Sequence, residues 1–235
     1  MILAQPSFPP LMRGEAVTGA IDPFDKARAL AVLGCDAGTI VHNIQADRLR
    51  AALVFAPEVP LEDAMAMLPL CGVGFQNAMG ALAPPEVAVH LGWDGRIRVN
   101  GASCGKLRAA ASDRDPAAVP DWLVVGVEVP LLLTGQEPGA TPDTTALSEE
   151  GCGDIDPVLL VEAWARHTLV WINRWSEEGN RPLHAEWMGL AWGVGEAIAQ
   201  DGLSGTYLGV DDRFGLLVRD ARTTHLVPLS RLLEE

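Results

Sequence analysis

Apolar and polar positions along the chain change period several times, and each change marks an element. Residues 22–34, DPFDKARALAVLG, give the first helix: Asp22 suits the cap, Pro23 the first turn and Gly34 the stop. AGTIVHNI (37–44) and RAALVFAPE (50–58) alternate or run apolar with β-branched residues and read as strands. Residues 60–82 read as one apolar helix, with Gly72, Gly74 and Gly80 allowing a close approach to a sheet and Pro69 kinking it. EVAVHL, RIRV and SCGKLRAAA follow as short strands, with Asn100-Gly101 as a type I′ hairpin turn. DWLVVGVEVPLLL is a nearly continuous apolar strand, which predicts burial on both faces.

Asp156-Pro157 opens the best helix, which runs to about Ser176 and is stopped by Gly179. Leu160, Trp164, Thr168, Trp171 and Trp175 recur on one face of it, a pattern of core residues and not of an aromatic binding box. The Pro/Gly/Thr-rich segment 134–145 reads as a loop. The opening residues, with Pro6, Pro9 and Pro10, read as extended chain draped over the body. Near Gly189 the pattern becomes short strands separated by AQDG, DDRFG and DARTT, the signature of a small antiparallel barrel. The expected fold class is therefore α/β (α+β), in two domains, 1–189 and 190–235.

A formal charge of −14 and only two lysines, Lys26 and Lys106, exclude a basic stripe and hence nucleic acid as a main partner. Cys35, Cys71, Cys104 and Cys152 stand apart without a C-x-x-C pair, so reduced thiols and a cytoplasmic setting are expected. No apolar run is expected to reach the roughly 20 residues of a membrane span, and the proline-rich start does not resemble an export signal. No metal site is expected: the five histidines include no helical i, i+4 pair, and His184-Ala185-Glu186 lacks the cysteines of a zinc deaminase. No serine elbow or phosphate-binding P-loop is present.

Four charged positions bear chemistry. Arg48 and Arg50 can hold a phosphate or carboxylate bidentately, or simply solvate a turn. Asp94, after Trp93, can orient a base or ribose, or serve its own turn. Lys106 can stabilise the developing negative charge of an acyl-adenylate, or lie on the surface.

The order of these pieces resembles the biotin–protein ligase and lipoate–protein ligase superfamily over most of the chain. QADRLR (45–50) is similar to a shortened Q-x-G-R-G-R-x-G-R loop, and GWDGRIRVNGASCGKL (92–107) to the K-W-P-N-D strand and its hairpin to K-x-x-G-I-L. WLVVGVEVPLL (122–132) is similar to the strand ending in G-x-G-x-N, the segment 145–175 to the long helix and its lead-in, and SGTYLGVDDRFGLLVRD to the SH3-like barrel. The resemblance implies the mixed sheet flanked by helices that is shared with class II aminoacyl-tRNA synthetases, plus a C-terminal SH3-like barrel. It implies ATP and a biotin- or lipoate-like acid as ligands, an acyl-adenylate as intermediate, and a carrier-protein lysine as acceptor. A homodimer is a further implied assembly.

Departures from the pattern accompany the matches. Aligning Gly105 with the K-x-x-G glycine puts Ala102 at the lysine, and Lys106 one residue beyond that glycine. Simple strand alternation then turns Lys106 to the face opposite Ser103 and Gly105. The expected register faces the presumed cavity with Ala102. Glu128 and Pro130 stand where G-x-N would close the site. Each lost cation or oxyanion donor removes about 3–4 kcal/mol of transition-state stabilisation. The resulting ligand-site set is Arg48, Arg50, Trp93, Asp94, Ala102, Ser103, Gly105, Lys106 and Glu128. The favoured expectation is a ligase-like protein that has lost standard biotinylation and keeps a pocket for a small acid or nucleotide-like ligand. Two alternatives stay open: an active ATP-dependent acyl ligase or acyltransferase with a rearranged site, and a non-catalytic interaction module.

Overall fold

Local capping and turn chemistry set most element boundaries. The computed structural model describes residues 5–134, 143–200 and 202–235. The first part contains β1 (Arg13–Ala16), α1 (Pro23–Val32), β2 (Thr39–Ile44), β3 (Arg48–Phe55), α2 (Leu61–Ala64), α3 (Met67–Leu82), β4 (Val89–Leu91), β5 (Arg96–Val99), β6 (Ala102–Ala111), β7 (Leu123–Pro130), α4 (Pro157–Glu178) and α5 (Asn180–Leu190). The second contains β8 (Ala197–Gln200), β9 (Leu203–Val210), β10 (Leu216–Arg219) and β11 (Thr224–Val227).

Two helices start as their sequences predict. The Asp22 carboxylate accepts from Phe24 N at 2.9 Å, and that of Asp156 from Val158 N at 2.8 Å, each ahead of a first-turn proline. The Asn100-Gly101 turn has positive φ at both residues, as a type I′ hairpin requires.

Four expectations change. The helix over 60–82 is two helices that break at Met65 and Ala66, and Pro69 falls in the first turn of α3, where no intrahelical bond needs its N–H. The opening segment contributes β1, an edge strand pairing in parallel with β2. Residues 180–190 form α5, a helix the pattern does not predict, entered through Gly179 at φ +71°. Finally, Leu61–Leu82 is long and apolar enough to cross a membrane, although most of it is buried against the rest of the chain as a core helix. Most of the loop expected over 134–145 lies outside the described residues.

The sheet order is β1-β2-β3-β7-β6-β5-β4, antiparallel except for β1 with β2. α3 and α4 cover one face: Leu53, Leu123 and Val125 share a core with Phe75 and Trp164. These two helices meet closely because a side chain at Gly74 would run into Thr168. α1 covers part of the other face, where Phe24, Ala27 and Ala31 pack on Val41, Ala52, Val54, Ala110 and Val124. β8 to β11 form a second, antiparallel sheet in the order β11-β10-β9-β8, compatible with an SH3-like domain. Its Tyr207 and Phe214 join the helix-side core, and Arg213 pairs with Glu62 at 2.8 Å and Asp63 at 3.0 Å. All four cysteines are free thiols.

Candidate functional site

Beyond the N-terminus of α1, the sheet face that α1 covers changes from apolar to charged. Strand alternation puts Asn43 on the face of Val41, Arg48 and Arg50 on that of Ala52, and Glu128 on that of Val124. Lys106 and Arg108 likewise share the face of Ala110. The register lines up Asn43, Arg50, Glu128, Lys106 and Arg96 as successive cross-strand neighbours. Adjacent strands lie about 4.8 Å apart, so this is one polar row across five strands.

The orientation of β6 corrects the expectation for Lys106. Cys104 and Leu107 are three residues apart, yet both point into the helix-side core. Pure alternation would put them on opposite faces, so β6 carries one extra residue, and its pairing with β5 shifts register at this point. Gly105 makes the bulge possible: its φ is +132°, and a side chain there would run into the Glu128 carbonyl oxygen. The bulge brings Ser103 and Lys106 to the same open face. Ala102 pairs with buried Val99 and turns to the helix side, away from the face it was expected to line.

Two more expected ligand residues serve other ends. Trp93 is buried, and its indole N–H donates to the Phe214 carbonyl at 2.8 Å, so it fastens the second sheet to the first. Asp94 accepts from Arg96 N and pairs with Arg96 Nε, both at 3.2 Å, as a turn residue in the crevice between the two sheets. Thus Arg48, Arg50, Ser103, Lys106 and Glu128 share the open face, with Gly105 shaping it; Trp93, Asp94 and Ala102 do not take part.

The charges on this face are unevenly matched. Arg48 pairs with Asp47 at 3.2 Å and Glu128 at 3.5 Å. Arg50 and Lys106 have no carboxylate within 4 Å among the described residues, and Arg50 Nε is buried without a hydrogen-bond partner. A buried guanidinium N–H without an acceptor is costly to leave unpaired.

Sequence pattern alone does not single out Arg108, Asp22 or Glu234. Arg108 stacks over the Phe24 ring at 4.3 Å, donates to both Glu234 carboxylate oxygens at 2.7–3.0 Å, and reaches Asp22 at 2.8 Å. The hydrogen bond from Arg108 lowers the Glu234 pKa against partial burial. At Asp22 burial pushes the pKa up, but the Phe24 N–H and Arg108 outweigh it and leave the carboxyl below its ordinary value. An arginine two residues past Lys106 on one strand was the available signal. No group of three His, Cys, Asp or Glu side chains suited to a metal occurs among the described residues.

The family model that matches residues 8–189 is described as the biotin/lipoate A/B protein ligase family, and residues 194–235 match a domain of unknown function. A crystal structure of a biotin protein ligase-like protein of unknown function from Silicibacter sp. TM1040 is 60% identical, with a TM-score of 0.94 over 98% of this chain and 100% of that one. The biotin protein ligase of Aquifex aeolicus is 13% identical, with a TM-score of 0.74 over 94% and 96% of the two chains. That of Leishmania major in complex with biotinyl-5-AMP is 17% identical, with a TM-score of 0.58 over 93% and 99%. No curated protein sequence matches the chain.

Proposed function

Because the chain belongs to the biotin/lipoate A/B protein ligase family, we propose that its open sheet face binds a small carboxylic acid or the corresponding acyl-adenylate, with Arg50 as the anion seat. The observation that carries this is the buried Arg50 Nε, without a hydrogen-bond partner among the described residues, on a face where Lys106 has no carboxylate within 4 Å among them either. A carboxylate or phosphate oxygen would satisfy the guanidinium, and Lys106, two strands away, would add attraction. Among relatives of the fold, the Aquifex aeolicus enzyme has been crystallised with biotin and ATP. Standard biotinylation is not part of the primary proposal, because the position aligned with the family's lysine is Ala102, which faces the helices. Four free thiols support a reducing, cytoplasmic setting.

The orientation of Lys106 favours a second function: ATP-dependent acyl activation with a rearranged site, followed by transfer to a carrier-protein lysine. In it Arg50 positions the acid and Lys106 stabilises charge as the adenylate forms. Calorimetry with biotin, lipoate, octanoate and their non-hydrolysable adenylate analogues, on the parent protein and Arg50→Gln, tests the primary proposal. Binding that weakens at least about tenfold, or about 1.4 kcal/mol, in the variant is expected. Binding indifferent to Arg50, or no binding at all, refutes it. ATP–pyrophosphate exchange with the same acids separates the two functions, since exchange that falls in Lys106→Ala requires the catalytic one.

A further inference from the structure

Glu128 lies in the middle of the polar row, where a plain acyl chain has no use for a carboxylate. We propose that Glu128 makes this face selective for a carboxylic acid that also carries an ammonium group, an inference that rests on Arg50 being the anion seat. In register Glu128 stands opposite Arg50 on one side and Lys106 on the other. Neither cation pairs with it. Its one ionic contact is Arg48 Nη1 at 3.5 Å, and it accepts no hydrogen bond among the described residues. Among the described residues the face therefore holds two cations with no carboxylate within 4 Å, although Arg50 is felt by Asp22 and Lys106 by Glu234, and a carboxylate that accepts no hydrogen bond, one strand spacing apart.

That pattern is complementary to a zwitterion. A simple carboxylate seated on Arg50 meets repulsion from Glu128, roughly 5 Å away across one strand step. An ammonium on the same ligand turns that repulsion into attraction and gives Glu128 the hydrogen-bond donors it lacks. Space limits the direction of the ligand as well. Phe24 of α1 covers Gly126, one step along the same face of β7, so the ligand must extend away from α1, toward Glu128 and Arg48. The Glu128 side chain is 31% exposed, so it is reachable from solvent yet partly screened from it. A site built this way selects by charge pattern and not by chain length. Plain acids would bind weakly, and short amino acids would bind well.

Matched pairs of ligands isolate the effect: 4-aminobutyrate against butyrate, and 6-aminohexanoate against hexanoate. Calorimetry on the parent protein is expected to give the amino member of at least one pair a tenfold or greater advantage. In Glu128→Gln, which keeps the side-chain shape, the advantage should fall to near one, with the thermal melt confirming an intact fold. Equal affinities within both pairs, or an advantage that survives in Glu128→Gln, would overturn the selectivity. Arg50-dependent binding of biotin, lipoate or octanoate with no binding of either amino acid would do the same while leaving the acid site standing. No binding of any probe would overturn both.

Discussion

The two faces of the seven-stranded sheet come from alternate residues of the same strands, yet they are built for different ends. On the helix side, β3 and β7 present Leu49, Ala51, Leu53, Leu123, Val125, Val127 and Val129, apolar from end to end and sealed by α3 and α4. On the other side the same strands begin apolar and then change. β3 runs back from Val54 and Ala52 to Arg50 and Arg48, β7 forward from Val124 to Glu128, and β6 back from Ala110 to Arg108 and Lys106. The change falls where α1 begins, so the helix borders the apolar half of this face. One face holds the fold together, and the half of the other that no described residue covers is where the proposed ligand would sit.

If this division is right, damage on the helix side should appear as lost stability. Trp164→Ala is the largest expected effect. The indole is fully buried between α4 and the core, and its N–H donates to the Cys71 carbonyl at 3.1 Å. Truncation leaves a large cavity and removes a buried hydrogen bond, costing about 4 kcal/mol in a urea titration. A cost below about 1 kcal/mol would mean that this face is not the principal core.

The border between the faces should respond to pH. Glu234 reaches from beyond the second sheet to Arg108, which lowers its folded pKa; Asp22, at the other side of Arg108, is lowered as well. A carboxylate whose pKa falls on folding adds stability above its unfolded value, here 4.5 for Glu234 and 3.8 for Asp22. That stability is lost as the pH drops from those values through the folded ones. Glu234→Gln should therefore cost about 1 kcal/mol at pH 7, given its partial exposure, and make the acid limb shallower. An unchanged acid limb would mean that the clamp contributes nothing in solution.

Much of this arrangement was legible in the sequence, and the failures have definite causes. The caps at Asp22 and Asp156, the hairpin at Asn100-Gly101 and the long apolar strand at 123–130 are encoded locally, in side chains that act on their own backbone. The charged face was half legible, since Arg48, Arg50, Glu128 and Lys106 were all in view. What a period of two cannot reveal is an inserted residue. The bulge at Gly105 puts Ala102 and Lys106, which strict alternation places on one face, on opposite faces: Lys106 on the open side and Ala102 toward the helices, the reverse of the expectation. α5 was missed because Pro182 and Gly189 break its pattern. Its burial rests on Leu183 and Trp187, which join the core beneath α3 and α4, with the Trp187 ring edge-on to Phe214. Trp93 misleads for a related reason: an indole beside an aspartate suits a ligand, but its partner is a backbone carbonyl 121 residues away.

The smallest expected effect on stability is the most informative. Arg50 is half-buried on the sheet, where most substitutions would remove a supporting contact, but its Nε has no partner to lose. In Arg50→Leu the loss of packing along the aliphatic stem is opposed by removal of an unsatisfied, desolvated N–H. Denaturation should therefore show a change within about 0.5 kcal/mol, or a slight gain. Binding of acids should be lost in the same variant. A loss of stability above about 2 kcal/mol would identify Arg50 as part of the scaffold and would erase the distinction between the two faces at its most critical position. Stability retained with binding lost would fix the uncovered half of the sheet as the surface on which this fold meets its ligand.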